Sequence, residues 1–404
     1  MNRSAGPEGV TQPDTVFTVS AVRCAGYGQE EVAKAVRAAV DELGGIGRFV
    51  SAGETILIKP NMLAARKPEQ AVTTHPEVVR QVIRLVKGAG ATPLVGDSPA
   101  GIGNEGALRS LAEKTGIGKV CAEEGVEFVM FTESHRIPYP DGGVVMSFEL
   151  TTALDRVDGI ISVGKLKTHT FTVLTGAVKN LFGIIPGLKK AEFHLRLKEV
   201  DGFSGMLVDL AECVRPRLTV IDAVIGMDGE GPSGGRPLKI GLVLASDNVH
   251  ALDAHFAHMA GADGDTVPSV RIARSRGLGP ADHSHVRVLG DGAGMERIEG
   301  FKLPSTTQRY GGIPHFLGRF VGESVTKKPV FLASRCTRCG QCIEVCPADA
   351  LEQGDKKPTI DRALCIRCYC CQEACPSRAI VLRRRPLRSL ARTAASWSGK
   401  RLGR

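Results

Sequence analysis

From Thr15 to about Leu303 the chain alternates short apolar runs with longer stretches of helical period. The apolar runs predict strands at Val16–Ala21, Thr55–Lys59, Thr92–Gly96, Val126–Phe131, Gly159–Val163, Leu218–Ile221, Ile240–Ala245 and Val286–Leu289. Between them, apolar residues spaced three and four apart predict helices at Glu30–Leu43, Pro76–Gly88, Ala107–Lys114, Gly205–Val214 and Ala251–Ala260. Pro76 at a first-turn position and Gly88 at the end bracket one helix sharply. Alternation of this kind predicts an α/β fold, an open and mainly parallel sheet with helices on both faces.

The pattern changes after Leu303. Residues 304–328 are polar, with Gly, Pro and aromatic residues, and read as a linker after an α/β domain at 15–303. A small cysteine-rich domain is expected at 329–382, and a basic tail at 383–404. The whole chain carries a net charge of +9, but Val381 to Arg404 holds seven Arg and one Lys with no acid, leaving about +1 for the rest. The body is therefore nearly neutral, and nothing in it suggests nucleic-acid binding. In the tail, Leu387, Leu390, Ala391 and Ala394 fall on one helical face, followed by Trp397. That pattern suits a peripheral contact with a membrane or a partner protein. The N-terminal stretch lacks an apolar signal-peptide core and no run is long enough to span a bilayer, so the expectation is cytoplasmic.

Eight of the twelve cysteines form two copies of C-x2-C-x2-C-x3-C-P, twenty-nine residues apart. This spacing holds [4Fe–4S] clusters in bacterial-type ferredoxins, where the fourth cysteine of each run reaches the other cluster. The expected ligands are Cys336, Cys339, Cys342 and Cys375 for one cluster, and Cys365, Cys368, Cys371 and Cys346 for the other. The repeat extends past the ligands, with Ala350-Leu351 matching Ala379-Ile380. A pair of zinc knuckles is disfavoured, because zinc wants four ligands per site, usually from two separated CxxC halves. Thiolate-ligated iron points to a reducing compartment. Cys370 adds a thiol inside the second motif.

Ligands of open α/β sheets bind beyond the carboxyl ends of strands. Here those ends carry Lys59-Pro60-Asn61, Asp97-Ser98 and Lys165-Leu166-Lys167-Thr168-His169. Asp222 leads to a glycine-rich loop with Asp228 and Glu230, and Thr73-Thr74-His75-Pro76 caps a helix. Lys165, Lys167 and His169 are expected in a loop just past Val163, as catalytic groups. Lys59, Asn61, His75, Asp97, Ser98, Lys179, Asn180, Asp228 and Glu230 are expected to bind substrate. Lysines in a cleft attract carboxylate or phosphate. His75, His169 and His194 are candidates for proton transfer, since histidine titrates near neutrality. Asp97, Asp222, Asp228 and Glu230 would hold a hard cation or balance the lysines.

The strings KPN, TTHP, GDSP, KLKTH, GAVKNLFG and GMDGEGP, in this order, resemble the Domain of Unknown Function 362 family. Members often carry a C-terminal ferredoxin module whose second motif reads like CIRCYCCQEACP. The resemblance covers nearly the whole chain and implies an iron–sulfur protein.

Two further patterns are weaker. Gly101 to Gly106 matches GxGxxG, but Asp97-Ser98-Pro99 separates it from the strand, which favours an anion-facing loop over a dinucleotide site. His250, Asp253, His255 and His258 do not share one helical face, so capping and surface polarity explain them, with Asp247 as the N-cap. Together these readings predict an iron–sulfur oxidoreductase. It would pass single electrons from an external donor or acceptor protein through two [4Fe–4S] clusters to an anionic small molecule in the α/β domain. The alternative is a non-catalytic ferredoxin-type electron-transfer subunit, or a cofactor-maturation factor docking on a partner enzyme.

Overall fold

The computed structural model describes residues 15–99, 104–187, 189–262, 264–307 and 327–383. Gly101 and Gly103 of the GxGxxG pattern, most of the expected linker and all of the tail beyond Arg383 lie outside the described residues.

A nine-stranded sheet forms the body. Its strands are β1 (Phe17–Arg23), β2 (Thr55–Pro60), β3 (Thr92–Val95), β4 (Glu127–Phe128), β7 (Gly159–His169), β8 (Val173–Thr175), β9 (Leu218–Asp228), β10 (Arg236–Ser246) and β11 (Val286–Leu289). A separate hairpin, β5 (Ser134–Pro138) and β6 (Ser147–Thr151), interrupts the series. The sheet order is β11-β1-β10-β9-β7-β2-β3-β4, with β8 pairing on β7. Strands β9, β7, β2, β3 and β4 run parallel to one another, so their carboxyl ends share one edge. β10 is antiparallel to both β1 and β9.

Period-two alternation sends each strand's side chains to two apolar layers. On β2, Ile56 and Ile58 enter one layer and Leu57 the other; on β10, Val243 and Ala245 oppose Leu242 and Leu244. The first layer is covered by α1 (Gln29–Asp41), α2 (Pro76–Gly88), α3 (Glu105–Thr115) and α4 (Ile117–Glu123). Against the second pack α5 (Ala177–Asn180), α6 (Lys189–Arg196), α7 (Val200–Val214), α8 (Val249–Met259) and α9 (Pro268–Ser275). The mainly parallel, doubly covered sheet is the architecture that the sequence pattern predicts.

Two strands run further than their apolar cores predict. β7 continues from Val163 to His169 and β9 from Ile221 to Asp228, so the Lys165–His169 segment is strand and not loop. The polar residues stay in the strands because distant partners satisfy them, which no local window can reveal. At α8 the N-cap is Asn248, whose side chain accepts from Ala251 N at 2.8 Å; Asp247 pairs with Arg48 instead. The surface reading of that helix also fails, since His250, Asp253 and His255 are buried. Asp253 accepts from Ala177 N and Val178 N and so caps α5. Burial raises its carboxyl to about 6 against those bonds.

The cysteine-rich region folds around its own small core of Phe331, Leu351, Ala379 and Ile380. β12 (Lys328–Phe331) pairs with β15 (Ile380–Arg383), and β13 (Leu351–Glu352) with β14 (Thr359–Ile360). Two short helices, α10 (Gln341–Glu344) and α11 (Cys370–Ala374), repeat at the twenty-nine-residue offset. The backbone repeats with them: Gly340 and Tyr369 both take positive φ, as do Arg338 and Arg367, and Asp349 and Arg378. Tyr369 holds the conformation that Gly340 adopts freely, its ring buried and its hydroxyl donating to Lys327 O at 3.0 Å.

Candidate functional site

The cysteines converge as the repeat requires. Cys336, Cys339, Cys342 and Cys375 line one cavity, of about 310 Å³ including its open side. Burial, then Cys375 and Cys339, push the Cys342 thiol up to about 11. Cys371 is pushed well up by burial and by Cys368, Cys365 and Cys346, which gathers the other four. Ala350 N donates to Cys346 Sγ at 3.3 Å and Ala379 N to Cys375 Sγ at 3.2 Å, at the repeated offset. Backbone donors favour sulfur as thiolate. Four thiols per set, crossed between motifs and met by backbone N–H groups, fit an iron–sulfur cluster.

The second motif also touches the sheet domain. Arg66 donates to Cys375 O at 2.7 Å and to Pro376 O. Ser233 Oγ donates to Glu373 O at 2.9 Å, and Thr170 Oγ1 to Gln372 Oε1 at 3.3 Å. Helix α11 is thereby held against the segments that follow β2, β7 and β9.

Between them lies a cleft of about 570 Å³, counting the part open to solvent. The sheet domain contributes Lys59, Asn61, Asp97, Ser98, Lys167 and His169 from strand ends, and Lys179, Asn180, Lys190 and His194 from α5 and α6. Cys370 and Glu373 close it from the cysteine-rich side. Lys59 Nζ pairs with Asp97 Oδ1 at 2.7 Å and donates to Pro60 O at 2.9 Å. Gly183 is required beside this pair, because a Cβ there would collide with the Asp97 carboxylate and the Lys59 ammonium. Asn180 Nδ2 donates to Ser162 Oγ at 2.9 Å, while its Oδ1 accepts from Asn61 Nδ2 at 3.1 Å. Lys167 Nζ donates to Asn61 Oδ1 at 2.7 Å and Val72 O at 2.6 Å. Lys190 Nζ donates to Ser98 O at 2.7 Å and to Ile185 O.

Burial changes which groups titrate near neutrality. It lowers His75 to about 4, His194 to about 3 and His169 well below its ordinary value. Burial thus favours the neutral form of all three histidines. The same desolvation brings Lys167 and Lys190 down to about 7. Burial disfavours every cation, so it drives histidine out of the neutral range and brings lysine into it. Burial also raises Glu373 to about 7, against the pull of Lys179 and Lys167. His169 Nδ1 accepts from Phe171 N and Thr172 N at 3.1 and 3.3 Å, which leaves the ring proton on Nε2, 3.2 Å from Glu373 Oε1.

Not every expected residue reaches this cleft. Lys165 has the parity of Ile161 and Val163 and faces the layer under α1 and α2. There its Nζ pairs with Asp222 at 2.8 Å and donates to Tyr27 Oη at 2.9 Å. His75 stacks on Tyr27 at 3.6 Å and caps α2, its Nδ1 accepting from Glu77 N. Asp228 pairs with Arg236 at 2.7 Å, and Glu230 accepts from Ser305 N at 3.0 Å. Asp97 and Asp222 thus balance lysines, and Asp228 balances an arginine. None of Lys165, His75, Asp228 and Glu230 lines the cleft. Sequence reasoning passed over Glu373 and Lys190 as site residues; the Cys370-Cys371 doublet and the Lys189-Lys190 pair were the signals available.

The sequence profile described as Domain of unknown function (DUF362) matches residues 56–258, and that of the 4Fe-4S binding domain matches residues 329–352. A thylakoid-associated protein of Synechocystis sp. is 32% identical over 324 residues, covering 76% of this chain and 97% of that protein. The lactate racemase apoprotein from Thermoanaerobacterium thermosaccharolyticum aligns at 13% identity and TM-score 0.36, over 59% of this chain and 56% of its own. A Thermotoga maritima protein aligns at 12% identity and TM-score 0.32, over 54% and 55%. The chain spans just over half the length of each of these two solved structures.

Proposed function

We propose that this chain, which belongs to the DUF362 family and carries a 4Fe-4S binding domain, is an iron–sulfur oxidoreductase that passes single electrons through two [4Fe–4S] clusters to an anionic small molecule in the lysine cleft. The observation that carries this reading is the shared wall: Cys370 and Glu373, on the helix that also bears Cys371, line the same cleft as four lysines. When bound, the clusters supply electrons one at a time. Cys339 is exposed whereas Cys368 and Cys371 are buried, which supports the first set as the side facing an external donor or acceptor protein. Lys179 and Lys190 hold the anion as point charges. Lys167 and Lys190, near 7, give up or take protons at neutral pH as charge arrives on the ligand. His169 Nε2 faces Glu373 Oε1 at 3.2 Å, at the cluster end of the cleft.

Among the described residues, no helix is long and apolar enough to cross a membrane. The thylakoid association belongs to the Synechocystis protein, and for this chain it supports testing the basic tail against membranes.

Anaerobic purification followed by mass spectrometry of the released small molecules tests the reading. The expected result is a bound anion that reoxidises the dithionite-reduced protein in stopped flow, and does so more slowly in Lys179→Ala. A protein that releases no small molecule, and is reoxidised only by a protein partner, would instead be an electron-transfer subunit.

A further inference from the structure

We propose that the cleft is built for a ligand head bearing two negative charges, a phosphate-like group or a pair of carboxylates, held by Lys167, Lys179 and Lys190, with the reducible part of the same molecule against Cys370 and Glu373. This deepens the reading above and rests on it only for the ligand's role as electron acceptor.

The charge count sets the valence. Four lysines line the cleft, Lys59, Lys167, Lys179 and Lys190, against two carboxylates, Asp97 and Glu373. With all six groups ionised, four positive charges less two negative leave two to be balanced, and a doubly charged anion draws Lys167 and Lys190, near 7 on their own, towards their cationic forms. Asp97 is committed to Lys59, 2.7 Å away. Glu373 faces His169, whose ring is kept neutral. The other lysines make no ion pair among the described residues. Lys167 and Lys190 each give two hydrogen bonds to neutral acceptors, which leaves one ammonium N–H on each.

Lys179 has no hydrogen-bond acceptor among the described residues. Its ammonium lies over the rings of Phe182 and Phe203, 4.8 and 5.2 Å from their centroids. Beside it, His194 stacks on Phe203 at 4.3 Å, and its buried Nδ1 has no hydrogen-bond partner among the described residues. Lys167 and Lys190 are buried and Lys179 is half-buried, and an anion in the cleft would supply the charge partner that all three lack among the described residues. Among the described residues no arginine lines the cleft, and lysine point charges suit phosphate and carboxylate equally.

The order of groups gives the orientation. Lys167, Lys179 and Lys190 line the cleft from the sheet domain, and Cys370 and Glu373 close it from the cysteine-rich side. A head spanning Lys190 and Lys179 therefore leaves the rest of the ligand at the cysteine-rich wall.

Anaerobic titration calorimetry on the full-length, cluster-loaded protein at pH 7 tests this, with sulfate, phosphate and succinate against nitrate and acetate. At least one of the doubly charged anions should bind at least tenfold more tightly than either singly charged one. Lys179→Met and Lys190→Gln should each weaken that binding at least tenfold without changing iron content or visible absorbance. Lys189→Met, next door but exposed and paired with Glu149, should leave it unchanged. Preference for sulfate and phosphate identifies a phosphate-like head, and preference for succinate a dicarboxylate. Absence of binding by all five anions, affinities within threefold of one another, or binding that survives both lysine variants would overturn the proposal. The reoxidation assay with the small molecule released from the protein judges the oxidoreductase reading separately: sulfate binding with no reoxidation by that molecule keeps the anion site and removes the electron acceptor.

Discussion

Replacing Asp97 with Asn tests how the cleft's charge is balanced. The side chain keeps its shape and an oxygen for Met62 N, which now donates to Asp97 Oδ2 at 2.7 Å. Only the negative charge is lost. Lys59 and Asp97 are almost fully buried, at 1% and 4% side-chain exposure, and 2.7 Å apart. At an effective dielectric of about 20, that separation corresponds to a Coulomb attraction of about 6 kcal/mol. Lys59 would then either remain an unpaired buried cation or give up its proton, and burial already lowers its pKa. Breaking a buried pair from one side typically costs about 3–5 kcal/mol, more than a hundredfold in the folded-to-unfolded ratio. Anaerobic urea unfolding followed by far-UV circular dichroism should show this loss for Asp97→Asn. The double variant Lys59→Met with Asp97→Leu should recover to within about 1 kcal/mol of wild type, since matched removal of both charges is often near neutral. If Asp97→Asn unfolds within about 0.5 kcal/mol of wild type, Asp97 does not balance Lys59 and the charge count of the cleft is wrong.

Lys167→Ala should abolish turnover with both clusters retained, whereas Lys165→Ala should destabilise the fold by about 3–5 kcal/mol by stranding buried Asp222; turnover assay and urea unfolding separate the two. Sulfate stays doubly charged over the pH range of interest, while Lys167 and Lys190 are cations below about pH 7 and neutral above it. Sulfate affinity measured calorimetrically should therefore be full below pH 7 and fall above it, by up to about tenfold per pH unit for each lysine that must take up a proton. The same lowered values act on folding in the opposite sense: the unfolded chain binds more protons between about 7 and the ordinary lysine value of 10.5, so this contribution to stability rises with pH across that window. Cys375→Ala, though in the second motif, should remove the cluster of the first, taking iron from about eight to about four atoms per chain; unchanged iron would refute the crossed ligand sets. Removal of the residues after Leu382 should reduce sedimentation with anionic liposomes, each basic residue near such a surface being worth about 1 kcal/mol; equal partitioning of both forms would reject a membrane role for the tail.

What the sequence reveals here follows from how local each signal is. Helix α2 is found to the residue because Pro76, Gly88 and a strong apolar stripe all lie within it. The ends of β2 and β3 yield Lys59 and Asp97 because the parallel-sheet rule needs only strand positions. β7 is cut short at Val163 because its lysines are made tolerable by Asp222, Asn61 and the Val72 carbonyl, all far away in sequence. The same shortening places Lys165 in the ligand loop, when its partners Asp222 and Tyr27 hold it outside the cleft. Glu373 sits between two cluster cysteines and reads as filler until the fold lays its helix against Lys167 and Lys179.

The bonds from Arg66, Thr170 and Ser233 to the Gln372–Pro376 backbone and side chains have a consequence for heredity. A ferredoxin segment is easily pictured as an interchangeable cassette, gained or lost by gene fusion. Here one wall of the lysine cleft, Cys370 and Glu373, is encoded inside that cassette. A substitute ferredoxin of any other origin could deliver equivalent redox centres and still leave the lysines facing open water. Exchanging that segment would therefore change the cleft's wall together with the cluster motif.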